Sequence, residues 1–439
     1  MPMSLLPTMD VAQQSFPWAT HTMTKPSSRH PLKHLSTSDI RGMAQLATQA
    51  AAGVTRIVEG VHQSVWDTLG VRGGKDPGQT GGITGLVYKS VHGVTQLLGK
   101  GVDSALLKLQ ALLDPADGAP PATPEREAVL AALNGVLGDR LAEDNNPLAT
   151  PMTLRYQGAA LDWRAPPAMP QATGKVLILI HGLCMNDLQW RTTDGDQVVD
   201  HGAALATALG CTPVYLRYNT GLHTSQNGHE LSAQLEQLVA HWPTPIEELT
   251  VVAHSMGGLL TRSAFCYATR EALQWPHLLK NIVFLGTPHH GAPLERAGNW
   301  VDVILGSTPY TAPFARLGQL RSAGITDLRW GNVLDDDWQG LDRFHRQPDS
   351  RQLAPLPQGV ACYAVAATMT PQRGTLADRL FGDGLVPLPS ALGQHVDPQR
   401  SLAFAESSQW IAYRTGHMAL LSSPEVTRQM VRWLTPGSA

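Results

Sequence analysis

A serine in the segment Leu249–Leu260 (LTVVAHSMGGLL) is of the type and spacing that could act as a nucleophile. A serine hydroxyl attacks a carbonyl only when it is exposed, deprotonated by a neighbouring base and correctly aimed, and a sharp turn between a strand and a helix achieves this. Ala253 and Gly257 lie two positions on either side of Ser255, so they fill the small positions of a G-x-S-x-G pattern with alanine first. We therefore predict Ser255 as the nucleophile. His254 is interpreted as a packing residue, because a side chain next to the nucleophile on a tight turn projects elsewhere.

Attack on a carbonyl creates negative charge on oxygen, which backbone N–H groups must stabilise. One donor should be the N–H of Met256, directly after the serine, and the other should come from the turn after an early buried strand. Lys175–Ile180 (KVLILI) is such a strand, and the residues HGL follow it. Gly182 allows close approach of the backbone. We predict Leu183 and Met256 as the donors of an oxyanion hole.

The base and the acid that orients it should follow the serine along the chain. The histidines after Ser255 are His277, His289, His290, His345, His395 and His417. His417 is favoured because Arg414-Thr415-Gly416 places it on a glycine-containing loop just before a helical segment near the C-terminus. His289 and His290 come too early to follow an acid strand, and they are interpreted as packing and hydrogen-bonding residues of a loop.

The acid is predicted in Gly382-Asp383-Gly384-Leu385-Val386-Pro387, where two glycines free the loop to present the carboxylate of Asp383. The alternative is an ordinary turn aspartate, since Asp-Gly is a common turn pair. Asp378 and Asp397 are then the reserve candidates.

The elements around these motifs alternate between strands and helices in their hydrophobic pattern. The predicted strands are Lys175–Ile180, Thr212–Tyr218, Leu249–Ala253, Ile282–Leu285 and Cys362–Ala367, and the predicted helices are Gly202–Leu209, Gly228–Trp242, Gly258–Thr269 and Pro424–Leu434. This alternation predicts an α/β fold, in which a mostly parallel sheet carries helices on both faces.

The N-terminal part of the chain has a different pattern. Residues 1–36 are predicted as a flexible leader and 37–150 as a helical region, before a main domain at 151–439. The helical region has two amphipathic helices between Ser38 and Leu113 and a short helix from Pro124 to about Gly138. The two amphipathic helices either pack on the main domain, which we favour, or attach the protein to a membrane, lipid or polymer surface.

A long insertion at about 292–355 separates two predicted strands, far beyond the usual connection of about 4 to 6 residues. We interpret it as a cap, or lid, that covers Ser255 and binds an apolar acyl chain, although aromatic residues also commonly pack a cap onto its core. It contains an acidic run, Asp335–Asp337, and the aromatic residues Trp300, Tyr310, Phe314, Trp330, Trp338 and Phe344.

Composition excludes several classes of protein. A net charge of −3 gives no reason to expect a nucleic-acid partner. The four cysteines form no CxxC motif, so neither a metal site nor a disulfide framework is expected. Met1–Lys25 lacks the pattern of a secretory signal and no apolar run reaches the ~20 residues of a membrane span, so we expect a cytoplasmic protein.

Taken together, VVAHSMGGL, LILIHGL, FLGTPHHGAP, GDGLVP and the late Gly-His resemble bacterial lipases and esterases of the α/β-hydrolase superfamily, including its PGAP1-like branch. The resemblance covers about residues 172–437. It implies the α/β-hydrolase fold, a triad of Ser255, Asp383 and His417, and oxyanion donors at Leu183 and Met256. Some lipases of the superfamily hold a structural calcium, but no dedicated acidic cluster is visible here, so no metal or other cofactor is expected.

The expected activity is hydrolysis of carboxylic esters, with a small-molecule or lipid ester as substrate. An intracellular polyester depolymerase or a thioesterase would use the same residues. A non-catalytic binding protein of this fold is a further alternative, although such a protein would normally have lost a triad residue.

Overall fold

A computed structural model describes residues 123–164, 169–194, 197–292, 322–341, 349–371 and 382–435 of the chain. The predicted leader, the two helices predicted between Ser38 and Leu113, and Asp378 lie outside the described residues. So do four of the aromatic residues in the predicted cap: Trp300, Tyr310, Phe314 and Phe344.

The described strands form an eight-stranded sheet and a small hairpin. In chain order, the strands are β1 Thr153–Tyr156, β2 Ala159–Ala160, β3 Lys175–Ile180, β4 Arg191–Asp194, β5 Gln197–Asp200, β6 Thr212–Arg217, β7 Glu248–His254, β8 Leu279–Leu285, β9 Ala361–Thr368 and β10 Gln409–Tyr413. The sheet order is β10-β9-β8-β7-β3-β6-β1-β2, and β4 pairs with β5. All pairs from β10 to β6 are parallel, whereas β1 is antiparallel to both of its neighbours.

Helices fill most of the connections. In chain order, they are α1 Pro124–Glu143, α2 His201–Leu209, α3 Thr224–His241, α4 Met256–Arg270, α5 Trp275–Leu278, α6 Ala323–Trp330, α7 Leu388–Ala391 and α8 Pro424–Leu434. Among the residues that the structure describes, no helix is both long and apolar enough to cross a membrane.

The central strand β3 shows why helices cover both faces of the sheet. Its side chains alternate between two hydrophobic clusters, as the two-residue period of a strand requires. Val176, Ile178 and Ile180 pack with residues of α1, α3 and α4, whereas Leu177 and Leu179 pack with residues of α2 and α8. The part of a strand that is buried on both faces has to be apolar, and this explains the continuous apolar run Val176–Ile180, whereas Lys175 at the start of the strand is exposed. The structure thus has the predicted mostly parallel α/β fold.

The order of the strands creates a crevice at one edge of the sheet. From β3 the chain moves outward to β6 and then crosses back to β7, on the other side of β3. In open α/β sheets, ligands bind outside the carboxyl ends of the strands at such a switch point. The two turns that follow β3 and β7 are those that carry Leu183 and Ser255.

Candidate active site

Ser255 lies on a strained turn between the last residue of β7 and the first residue of α4. Its φ of 53° and ψ of −122° are unusual for a residue with a side chain. Such backbone conformations cost on the order of 1–3 kcal/mol, and they persist only where the surroundings hold them. Here the N–H of Ser255 donates to the carbonyl of Leu285, the last residue of β8, at 2.8 Å. The neighbouring strand therefore fixes the turn that presents the serine.

Two glycines allow the turns after β3 and β7 to approach each other. A Cβ atom added to Gly257 would lie 2.6 Å from the carbonyl oxygen of Ile180, and one added to Gly182 would lie 3.0 Å from the Cβ of Ser255. The first distance is a clash with the backbone of the central strand. Small residues are therefore needed on both turns because the turns are in direct contact.

The structure brings His417 and Asp383 together on the loops that follow β10 and β9. Their side chains are buried, and His417 Nδ1 lies 2.7 Å from Asp383 Oδ2. The other oxygen, Asp383 Oδ1, accepts the N–H groups of Leu385 at 3.0 Å and Val386 at 2.7 Å. An ionised carboxylate can only accept hydrogen bonds, so Nδ1 carries the proton and Nε2 is left as the basic nitrogen.

The backbone holds this pair as well. The N–H of His417 donates to the carbonyl of Asp383 at 3.0 Å, and the N–H of Thr415 donates to the carbonyl of Thr368 at 2.9 Å. Because Thr368 is the last residue of β9, the loop of the histidine is fixed against the loop of the acid.

The imidazole of His417 lies beside the serine turn. A Cβ atom on Gly286, the residue after Leu285, would be 3.2 Å from His417 Nδ1 and from Cε1. Ser255 Oγ and His417 Nε2 are both buried, and neither has a hydrogen-bond partner among the described residues. The serine and histidine thus share one site but are not hydrogen-bonded to each other. Catalytic hydrogen bonds are often longer in unliganded proteins and tighten with substrate.

The predicted oxyanion donors lie on the two turns in contact. The N–H of Met256 is the first in α4 and so has no acceptor within the helix. Leu183 follows Gly182, which contacts Ser255, and both Leu183 and Met256 are buried. Their positions suit a shared anion-binding role, which stays a prediction.

The turn of Leu183 is held by two residues that follow β6, Tyr218 and Thr220. The sequence analysis did not predict this role for either of them. The hydroxyl of Tyr218 donates to the carbonyl of His181 at 2.9 Å. Thr220 Oγ1 accepts the N–H of Cys184 at 3.1 Å. Leu183 is therefore fixed on both sides. The available signal was the sequence YNTG, in which Tyr218 ends a predicted strand and NTG follows it, because polar residues at a strand's carboxyl end face the same edge as the serine turn.

An ion-pair network also stabilises the segment that follows this turn. Arg217, the last residue of β6, pairs with Glu127 of α1 and with Asp187. Asp187 Oδ2 also lies 3.1 Å from Arg155 Nε of β1, in a second ion pair. The network connects α1, β1 and β6 to the 3₁₀ helix that begins four residues after Leu183.

His254 is buried, as its packing interpretation expects, and it also contacts the predicted base. Its ring centroid lies 4.8 Å from that of His417, and its Nε2 lies 3.3 Å from the carbonyl oxygen of His417. Burial is the main cause that holds the pKa of His254 well below its ordinary value. A neutral ring with its proton on Nε2 can therefore donate to that carbonyl.

The other candidates lie in different surroundings. His289 packs between the rings of Phe284 and Phe404, and His290 Nε2 lies 3.0 Å from the carbonyl oxygen of Gly393. Asp397 is exposed and accepts the N–H of Gln399 at 3.0 Å, at the start of a 3₁₀ helix. These are structural contacts of loops, whereas the carboxylate against His417 belongs to Asp383.

The described part of the predicted cap reaches the site at one point. The N–H of Gly324 in α6 donates to the carbonyl of Gly221 at 3.0 Å. A Cβ atom on Gly324 would lie 2.0 Å from the carbonyl oxygen of Thr220 and 3.1 Å from Met256 Cε. Helix α6 therefore packs against Met256 and against the loop after β6, whose Thr220 holds the turn of Leu183.

Comparison with known proteins gives one family match. The family model of the PGAP1-like alpha/beta domain matches residues 171–355, a segment that includes Leu183, Ser255 and Met256 but ends before Asp383. No curated protein matches the chain in sequence.

Similar solved structures include a lipase, BlEst2 of Bacillus licheniformis in its mature form, at 18% identity and a TM-score of 0.36, covering 62% of this chain and 94% of that one. An esterase of Pyrobaculum calidifontis is 13% identical, with a TM-score of 0.33, and covers 58% of this chain and 73% of its own. The NocB thioesterase domain, in a covalent complex with a fluorophosphonate nocardicin G analog, is 14% identical with a TM-score of 0.32, covering 60% and 93%. Over residues 171–355 the chain is thus similar to the PGAP1-like alpha/beta domain family, which confirms the resemblance of its sequence motifs.

Proposed function

We propose that this protein is a serine hydrolase that cleaves carboxylic esters through an acyl-enzyme intermediate on Ser255. The observation that carries the proposal is the buried Asp383–His417 pair, which lies at the same sheet edge as the strained serine turn. His417 Nε2 and Ser255 Oγ are the two atoms of this group left unpaired. They are also the two atoms between which the reaction must transfer a proton.

In the first half of the reaction, His417 Nε2 takes the proton of Ser255 as Oγ attacks the carbonyl carbon of the ester. The N–H groups of Leu183 and Met256 donate to the oxyanion that forms, and each such donor is typically worth about 2.7 to 4 kcal/mol. Collapse of the intermediate breaks the ester C–O bond. His417 gives its proton to the leaving alcohol, and the acyl group stays on Ser255.

In the second half, His417 takes a proton from a water molecule, whose oxygen attacks the acyl carbon. The same two N–H groups stabilise the second oxyanion. Breaking the bond to Oγ returns the proton to Ser255 and releases the carboxylic acid. Throughout, the carboxylate of Asp383 stabilises the imidazolium form of His417 and fixes its tautomer.

The surroundings favour an apolar acyl chain, such as that of a lipid ester. Met256, which follows Ser255 directly, and Leu183, on the turn that approaches it, are buried apolar residues, and the exposed Met369 has its sulfur 3.3 Å from where a Cβ atom of Gly416 would lie. Ser255 and His417 are each only 1% exposed. A long substrate therefore requires movement of the groups that cover them, and the insertion that includes α6 is the segment we assign to this role.

The test is covalent labelling with a fluorophosphonate, run beside hydrolysis of p-nitrophenyl esters of increasing chain length. Ser255→Ala should lose both labelling and hydrolysis while its thermal unfolding stays close to that of the wild type. Ser263→Ala is the matched control, because Ser263 is also a buried serine of the same region with an unpaired hydroxyl. Labelling that persists in Ser255→Ala, or an unlabelled wild type, would refute the proposal.

The chain-length series and a set of acyl thioesters separate the variants of this function. A lipid esterase should prefer longer acyl chains, whereas a thioesterase should turn over the thioester faster than the ester of the same acid. Both results keep Ser255 as the nucleophile, since both reactions use the same residues.

A further inference from the structure

Arg262 of α4 is buried without an ion pair. It lies two turns along the helix from Ser255 and is only 6% exposed. Its Nη2 donates to the carbonyl of Ala354 at 2.6 Å and its Nη1 to that of His289 at 3.4 Å, but its Nε has no partner. Arg262 forms no ion pair with any of the residues that the structure describes, although several other arginines do.

Burial of an uncompensated charge is costly, and buried charges in proteins are normally paired. Burial lowers the pKa of Arg262 to about 10, so the guanidinium remains charged at neutral pH. Two carbonyl groups satisfy part of its hydrogen-bonding capacity, but they do not neutralise the charge.

A cavity of about 140 Å³ adjoins this guanidinium. Its wall includes Arg262, Arg351, Arg400 and His289, and none of the described residues that line it is acidic. Both ring nitrogens of His289 are buried without a partner, and burial holds its pKa well below the ordinary value. A neutral imidazole of this kind can still donate one N–H.

Two carboxylates of the surrounding cap segments, those of Asp349 and Asp337, are already engaged. Asp349 pairs with Arg351 through both of its oxygens, at 2.8 and 2.7 Å, and also lies 3.5 Å from Arg400. Asp337 is buried and accepts the backbone N–H groups of Val333, Leu334 and Gln352. Neither carboxylate therefore forms an ion pair with Arg262.

We propose that this cavity binds a compact oxyanion, either a phosphate or a carboxylate group, with Arg262 as its main ligand. Arg351 and Arg400 supply further positive charge and His289 supplies a neutral donor. Guanidinium groups suit such an anion because their planar fork matches two of its oxygens. No residue of the proposed triad lines the cavity, so this site is separate from the site of ester cleavage.

The position of the cavity means that a bound anion would contact several separate segments of the chain. The cavity lies between α4, the loop after β8, and two segments of the predicted cap that contain Val333 and Arg351. A bound anion would link these cap segments to the helix that begins next to Ser255. It should therefore stabilise the folded insertion by mass action, since only the folded protein has the site.

The test is calorimetric titration of the full-length protein, in a buffer free of other oxyanions, with inorganic phosphate, acetate and chloride. We expect saturable binding of phosphate or acetate at one site, no comparable binding of chloride, and a rise in melting temperature with the bound anion. Binding of only one of the two oxyanions would assign the site to that class.

Arg262→Gln should weaken this binding at least tenfold, because charge-assisted hydrogen bonds are lost. Arg428→Gln is the matched control, since Arg428 is an exposed arginine of α8 and should leave the affinity unchanged. Should Arg262→Gln fail to fold, Arg351→Gln should show the same loss of affinity. The proposal would be overturned if the wild type showed no saturable oxyanion binding, or if these variants and the control had equal affinity. Arg262 would then have only the structural role of linking two backbone carbonyl groups by hydrogen bonds.

Discussion

Replacement of Asp383 by asparagine tests the proposed mechanism at a single atom. The introduced side chain could still accept the N–H groups of Leu385 and Val386 through its remaining oxygen, as Asp383 Oδ1 does at 3.0 and 2.7 Å. The amide nitrogen would then replace Oδ2, which lies 2.7 Å from His417 Nδ1. An amide N–H cannot accept a hydrogen bond, so Nδ1 must give up its proton and become the acceptor.

The consequence is the wrong tautomer of His417. With its proton on Nε2, the ring cannot take the proton of Ser255, and the negative charge that stabilises the imidazolium is also gone. The equivalent change in a serine protease lowers kcat about 10⁴-fold with its geometry intact. We expect a similar loss here, which corresponds to about 5 kcal/mol of transition-state stabilisation at about 1.36 kcal/mol per factor of ten.

The assay is the rate of p-nitrophenyl ester hydrolysis, followed with the melting temperature of each variant. Asp397→Asn is the matched control, since Asp397 is an exposed aspartate that contacts Gln399 rather than the predicted base. Asp383→Asn should be nearly inactive yet remain folded, and Asp397→Asn should match the wild type. Near-normal turnover by Asp383→Asn, with a folded and labelled protein, would refute the assignment of the acid and the tautomer argument.

Two further predictions concern the oxyanion turn and the buried histidines. Tyr218→Phe removes the hydroxyl bound to the carbonyl of His181; it should cost about 1–3 kcal/mol of stability and lower kcat more than it raises KM, whereas Tyr215→Phe, within the preceding strand β6, should lower kcat far less. Burial lowers the pKa of His181 from 6.5 to about 4, so the unfolded chain binds more protons between these values and the free energy of unfolding should fall as pH falls through that window, by roughly 3 kcal/mol from this residue alone. Urea unfolding at pH 7.5, 5.5 and 4.5 measures this slope, and a His181→Asn variant with an equally steep slope would contradict the assignment.

Sequence patterns predicted the structure correctly where a local hydrophobic pattern or a short motif determines it. Lys175–Ile180 and Pro424–Leu434 have the bounds that their hydrophobic patterns predict. From Val176 onward the first is apolar because it is buried on both faces, and the second presents a single apolar face to the sheet. The pairing of Asp383 with His417 was also predictable, because each lies on a glycine-containing loop in the order that a triad requires.

Three helix ends were wrong, and all three errors involve glycine. The sequence predicts helix boundaries at Gly138, Gly228 and Gly258, but each of these glycines lies inside its helix. Added Cβ atoms would lie 1.9 Å from Asn219 Oδ1, 2.1 Å from Ser263 Oγ and 2.0 Å from Thr287 Oγ1, respectively. These glycines therefore allow close packing of a helix against a neighbouring segment. No local sequence pattern distinguishes this role from that of a glycine at a helix boundary.

Short elements at the sheet edges were missed. β10 has one buried residue in five and so shows no alternation of apolar and polar residues, whereas β1 alternates but is only four residues long, too short for its pattern to predict a strand. Such strands are fixed by pairing with a neighbour, β9 for β10 and β6 for β1. This matters for the site, because β10 leads directly into the loop that carries His417.

The residues found and the residues missed differ in how far along the chain their contacts reach. Ser255, Leu183 and Met256 lie within short motifs whose backbone geometry explains their chemistry. Tyr218 acts on His181, 37 residues away, and Arg262 faces segments 27 and 92 residues away, at His289 and Ala354. Contacts of this kind depend on which strands and segments become neighbours, and the switch in strand order between β6, β3 and β7 decides that. A sequence motif can therefore nominate the residues of a proposed active site, whereas the residues that hold them in place emerge only once the order of the strands is known.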